Sequence, residues 1–281
     1  MMIPAASSWG QNGWSWRVPQ EIREIGKIDE NESSRYVFEQ IKKLNQKHGF
    51  DASSAKQKIL VIGDSQAGDL VNILNESGYL SKYNVVSRLV DSACATPFLA
   101  REERELFFTQ INPITMTAPE YIKRCEVGLA RADDQKLISE ADKIFIAFYW
   151  RDFAEPKYLE ALRGLASHTK AEIYIFGRKD LSKDSAFIAT SLGRTAGLSH
   201  YAASYKSQDT ETINAPLKTI PNTIYIDMMK ATCPAVDECL VVDGDNKPVF
   251  FNATHLSREG AIMYGDATEA LLERARKDLS L

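Results

Sequence analysis

Positive charge is not in excess in this chain: 34 lysines and arginines stand against 38 aspartates and glutamates, a net charge of −4. That balance leaves no footprint for a polyanion, so nucleic acid is not an expected partner. Long apolar runs are missing as well. No stretch approaches the roughly 18 uninterrupted apolar residues of a membrane span. The opening Met1-Met2-Ile3-Pro4-Ala5-Ala6-Ser7-Ser8 lacks the basic region and long apolar core of a secretory leader. There is no internal repeat and no low-complexity tract, which excludes solenoids and linker-like chains. The segment Gly63-Asp64-Ser65-Gln66-Ala67-Gly68 lacks the Gly-Lys-Ser/Thr ending of a phosphate-binding loop. Cysteine is scarce: Cys94, Cys125, Cys233 and Cys239. Neither pair has the two-residue spacing of a zinc knuckle, and no histidine lies close to either. No metal and no cofactor are expected.

What is present suits a globular protein. A chain of 281 residues with 44% hydrophobic and 26% charged content can bury a full core. Four cysteines allow three pairings. The short loop from Cys233 to Cys239 reads as a local staple, which leaves Cys94 with Cys125; buried free thiols are the alternative, and metal binding ranks last. Disulfides imply an oxidising compartment. Together with the missing leader, they suggest a chain cut from a larger protein.

Residues 1–31 are irregular, with Trp9, Trp14 and Trp16 among Gly10, Gly13 and Pro19. They are expected to fold onto the domain surface, ahead of a glycan-binding platform. Residues 32–47 read as an amphipathic helix with Val37, Phe38, Ile41 and Leu44 on its apolar side, stopped at His48-Gly49. An α/β rhythm follows. Strands are expected at 58–62, 85–90, 143–149, 172–176, 223–226 and 249–251. Helices are expected at 66–77, 120–129, 133–139, 156–168 and 257–277, with weaker ones at 181–192 and 211–217. Residues 91–118 form a long loop of functional character. The pattern predicts a three-layer α/β/α fold with a mostly parallel, flavodoxin-like sheet. Residues 1–50 divide off as an extension packed on a catalytic domain of 51–281. Ligands in such sheets bind at the carboxyl ends of the strands, where Ser65, Asp91 and Trp150 fall.

Ser65 follows the apolar run Ile59-Leu60-Val61-Ile62 and Gly63-Asp64. A strand that ends in a tight turn with serine at its tip presents a nucleophile, and the helix that follows offers free N–H groups to an oxyanion. The plainer role for Ser65 is a helix cap. His255, in Ala253-Thr254-His255-Leu256-Ser257, supplies a base from far along the chain. His168 and His48 read as surface residues, and His200 is a second candidate.

The Gly-Asp-Ser turn, the late His-Leu-Ser followed by Gly260-Ala261, and the α/β order resemble the SGNH (GDSL-type) esterase and acyltransferase superfamily. More narrowly, the chain resembles the periplasmic SGNH domain fused to the C-terminus of membrane acyltransferase-3 proteins that O-acetylate bacterial surface glycans. Three features carry that likeness: the cysteine loop Ala93-Cys94-Ala95-Thr96-Pro97, the Trp-ended strand Phe148-Tyr149-Trp150, and the late cysteine pair. The stretch Trp14-Ser15-Trp16-Arg17-Val18-Pro19 resembles the extension that joins membrane part to domain.

The resemblance implies a Ser65 nucleophile, a His255 base, and contacts to substrate from Asp64, Gln66 and Trp150. Two departures stand out. The family carboxylate three residues before the histidine is Asn252 here, so a Ser-His dyad or a carboxylate from elsewhere, such as Asp243 or Asp245, is expected. The family's Gly-x-Asn-Asp block is absent at Tyr149-Trp150-Arg151-Asp152. The oxyanion hole is then expected to rest on the N–H groups of Ser65 and Ala93, aided by Arg151, although Arg151-Asp152 reads equally as a surface ion pair. The implied activity is acetyl transfer through a serine acyl-enzyme to a sugar of polysaccharide or lipopolysaccharide. The donor would come from a membrane acyltransferase-3 domain, and the chain would be periplasmic. A free-standing carbohydrate acetylesterase and a decayed glycan-binding module are the alternatives.

Overall fold

The computed structural model describes residues 18–278. The expectations for Trp9, Trp14 and Trp16 lie outside the described residues. Five parallel strands form one sheet: β1 Lys58–Gly63, β2 Asn84–Leu89, β3 Lys143–Ala147, β4 Glu172–Phe176 and β5 Thr223–Ile226. Their order is β2-β1-β3-β4-β5. The chain leaves β1 toward one edge and returns to β3 on the other side, so the topological switch point lies at β1.

Alternation along each strand divides the core in two. Ile59 and Val61, Phe145 and Ala147, and Tyr174 and Phe176 face one layer. Leu60 and Ile62, Ile144 and Ile146, and Ile173 and Ile175 face the other. The first layer is built by α1 (Gln20–Ile25), α2 (Glu30–Asn45), α3 (Ser65–Glu76), α7 (Ser185–Leu192) and α9 (Arg258–Asp278). The second holds α4 (Glu120–Ala132), α5 (Gln135–Glu140), α6 (Glu155–His168) and α8 (Gln208–Leu217). With apolar residues on both faces, the strands read as near-continuous hydrophobic runs.

The helix read at 32–47 begins at Glu30, where the Asp29 side chain caps two N–H groups. It buries Val37 and Ile41 and packs closely on α3. A Cβ at Gly68 would lie 2.5 Å from the Val37 carbonyl oxygen, so glycine permits that approach.

Two expectations are corrected. Residues 249–251 are not a sheet strand: Phe250 makes an isolated antiparallel bridge to Leu256, closing a loop. The run is apolar because Val249 and Phe250 are wholly buried. The long loop at 91–118 is broken into short helical turns. It is tied down by a Cys94–Cys125 disulfide, while a second joins Cys233 to Cys239. Asn112, fully buried, also donates from Nδ2 to the Ala93 carbonyl at 2.7 Å. Among the described residues no helix is long and apolar enough to cross a membrane.

Candidate active site

β1 ends against a wall that only glycine fits. A Cβ on Gly63 would stand 2.0 Å from the Ala147 carbonyl oxygen at the end of β3. The chain therefore turns directly from Gly63 through Asp64 into α3, with Ser65 as its first residue. An N–H in the first turn of a helix has no acceptor within the helix, and the positive end of the dipole points the same way. Ser65 is partly exposed in an otherwise buried turn and helix start.

Asp64 is 1% exposed. Its Oδ1 accepts from the Gln66 N–H at 2.9 Å and its Oδ2 from the Tyr149 N–H at 3.0 Å. Burial pushes its carboxyl up to about 6, against the pull of those two N–H groups and the charges of His255 and Arg151. Gln66 is buried as well. Its Nε2 donates to the Thr254 carbonyl at 3.3 Å, and its Oε1 accepts from Lys179 Nζ at 2.6 Å. Asp64 and Gln66 were expected to touch substrate. They brace the turn instead, because their polar atoms are spent inside the protein.

His255 follows the loop that Asn252 shapes. Asn252 Oδ1 accepts from the N–H groups of Thr254 and His255, both at 2.9 Å. The expected place of Asn252 beside the imidazole is therefore corrected: it folds the backbone, as short amide side chains do in turns. The ring is met by another group. His255 Nδ1 lies 3.1 Å from Oδ2 of Asp69, one helical turn after Ser65 on α3. The Phe251 ring stacks on the imidazole, with ring centroids 5.9 Å apart and planes 17° from parallel. Asp243 accepts from the Asp245 and Lys247 N–H groups and closes its own turn. Asp245 lines a separate groove with Glu24, Lys27 and Arg35.

Asp69 is 1% exposed and Lys179 3%. Lys179 Nζ donates to Asp69 Oδ2 at 2.7 Å, to Gln66 Oε1, and to the Thr254 carbonyl at 3.1 Å. All three ammonium donors are used. Burial alone would push the Asp69 carboxyl up; the Lys179 and His255 charges and their hydrogen bonds outweigh it and hold the group below the usual carboxylate value.

The expected oxyanion donors divide. Ala93 N–H already donates to Asp91 Oδ1 at 3.0 Å, so its assignment is corrected. Ser65 N–H keeps its position at the helix start. Arg151 lies with its guanidinium 4.8 Å from the Tyr149 ring, and its buried Nε has no hydrogen-bond partner. Trp150 is corrected too. It is fully buried, donates from Nε1 to the Phe176 carbonyl at 2.9 Å and packs on Tyr158, so it is a core residue.

Sequence reasoning missed Asp69 and the run Arg178-Lys179-Asp180. Arg178 forms a buried ion pair with Asp180 and donates to the Trp150 carbonyl at 3.0 Å. A signal was available: three consecutive charged residues just past an apolar strand, at the end of the sheet where ligands bind. His168 and His200 are both exposed and take no part.

A cleft of about 530 Å³ opens beside Ser65. Leu89, Val90 and Val127 line it with apolar surface, beside Lys123, Arg124 and Arg131 and the acids Asp91 and Glu120. Among the described residues no group of histidine, cysteine and carboxylate side chains is arranged to hold a metal.

Comparison with known proteins adds a family match. A family model described as the SGNH domain fused to AT3 domains matches residues 34–270. No curated protein matches the chain. Among solved structures, a protein described as a platelet activating factor from Streptococcus pneumonia matches at 14% identity, over 86% of this chain and 94% of that one. The TM-score of that match is 0.40.

Proposed function

The chain belongs to the SGNH domain family of the kind fused to AT3 domains, whose chemistry is that of esterases and acyltransferases, and on that premise we propose that Ser65 carries an acyl group from a donor to a sugar hydroxyl. The observation that carries this reading is the placement of Ser65. It stands at the tip of the β1–α3 turn, at the edge of a cleft, with His255 held to the same helix from the side.

Ser65 Oγ attacks the donor carbonyl as its proton passes to His255 Nε2. The oxyanion is met by the Ser65 N–H and by Arg151. The tetrahedral centre collapses, the leaving group takes the proton from His255, and an acyl-enzyme remains. A sugar hydroxyl then attacks, gives its proton to His255, and leaves as the ester, while the proton returns to Ser65. Water in place of the sugar gives hydrolysis, so the isolated domain should turn over activated esters slowly.

The donor is an acetyl group delivered by a membrane AT3 domain, and the acceptor a bacterial surface glycan. The family's fusion to AT3 domains supports this, as do two disulfides, which suit a periplasmic setting. The reading as a decayed module drew on Asn252, and a carboxylate facing the His255 ring removes that support. Supplying the purified domain with an activated acetyl ester and an oligosaccharide acceptor tests the proposal. Acetylated sugar formed by the wild type but not by Ser65→Ala is the expected result.

A further inference from the structure

The His255 ring needs a group at Nδ1 if Nε2 is to act as a base, because the proton must sit on the far nitrogen. At the motif position that group would come from residue 252, yet Asn252 is turned into its own loop. The geometry points to Asp69 as the positioning residue of the site: the carboxylate arm of a Ser65–His255–Asp69 triad, carried by the nucleophile's own helix and locked by Lys179. This rests on the reading of Ser65 and His255 given above.

Three observations converge. First, Ser65 and Asp69 are four positions apart on α3, so they share one face, with about one turn between them. A ring that rests Nδ1 on Asp69 presents its opposite edge for the serine. Second, Asp69 is almost fully buried and still ionised, the condition of a group that must accept a proton donor in a dry site. Third, Lys179 binds the carboxylate, the Gln66 side chain and the Thr254 carbonyl together. Gln66 adjoins the nucleophile and Thr254 adjoins the base. One ammonium therefore holds nucleophile turn, base loop and acid in register.

The lysine also changes what the acid does. Its charge offsets that of Asp69, so the carboxylate stabilises the imidazolium less than an unpaired one would. Its work is then to fix tautomer and orientation. The other charged groups that act on this part of the site are Asp64 and Asp180, whose charges both couple to that of His255, with Asp180 itself paired to Arg178.

Nitrogen-15 NMR of the wild-type ring, assigned with His255→Ala, tests the inference without any turnover. The neutral ring should carry its proton on Nδ1; a neutral ring protonated on Nε2 would overturn the inference. Lys179 Nζ, His255 Nδ1 and the Leu256 N–H all meet the same oxygen of Asp69, Oδ2, so an amide at this position would keep its oxygen toward the ring and is not a test. Asp69→Ala removes the acceptor: the preference for a proton on Nδ1 should be lost, and hydrolysis of an activated ester should fall by roughly 10³- to 10⁴-fold. An unchanged tautomer and unchanged turnover in that variant would also overturn the inference. Should Asp69→Ala not fold, the wild-type tautomer decides. The failures separate: if Ser65→Ala keeps full turnover while the tautomer is as expected, the nucleophile is misassigned and the Asp69–His255 pair stands. If Ser65→Ala is dead and Asp69→Ala is unaffected, the reverse holds.

Discussion

Asp69 Oδ2 and His255 Nδ1 stand 3.1 Å apart, although 186 positions of chain separate the two residues. The contact closes the molecule across its first sheet helix and its last loop. It also changes the expectation for Asn252. Replacing Asn252 by Asp restores the family residue, but the ring already has a carboxylate. Asn252→Asp should change kcat/KM for an activated ester by less than about threefold, since its oxygen still caps the Thr254 and His255 N–H groups. A gain of tenfold or more would show that Asp69 does not serve the ring.

Asp64 should impose a pH dependence on stability. Its folded carboxyl keeps a proton up to about 6, while an unfolded one releases it near 4. Between those values the folded state binds more protons, so stability falls as pH rises through the window and levels off above it. The span corresponds to about 3 kcal/mol. Urea unfolding of wild type and Asp64→Asn at pH 4 and pH 7 checks this: the wild type should lose about 2 kcal/mol relative to the variant between the two. A difference independent of pH would contradict it.

The Cys94–Cys125 bond joins the loop that begins at Asp91 to α4, and both line the cleft beside Ser65. Its removal in Cys94→Ala/Cys125→Ala should cost about 3–4 kcal/mol in the chain-entropy model. Ester turnover should fall at temperatures where the protein is still folded by circular dichroism. Loss of activity only on global unfolding would mean that the bond does not shape the cleft.

Val127 is 56% exposed and lines the same cleft as Ser65. Val127→Trp should fill the cleft and raise KM for the acceptor sugar severalfold, with little change in reaction with a small serine reagent. Equal KM values in wild type and variant would place the acceptor elsewhere.

Much of the fold was legible because burial on both faces leaves strands such as Ile59–Ile62 and Ile144–Ala147 as plain apolar runs between helical periods. The strand–turn–helix that places Ser65 was legible from the apolar run, the glycine and the helical period around it. Asp69 was not. A carboxylate four residues into a helix looks like any polar-face residue until the distant loop is placed against it. Trp150 misled for the opposite reason. An aromatic at a strand's carboxyl end suggests a platform, but β4 and α6 cover it, and its indole N–H finds a backbone partner. Residues 249–251 carry a strand-like pattern through burial alone, which periodicity cannot distinguish from pairing in a sheet.

In the proposed reaction Ser65 is a nucleophile activated by His255. Reaction with a fluorophosphonate, followed by peptide mass spectrometry, measures it directly. A single adduct on Ser65 is expected, absent in Ser65→Ala and formed at least about a hundredfold more slowly in His255→Ala. An adduct on another residue, or labelling of wild type and His255→Ala at equal rates, would contradict it.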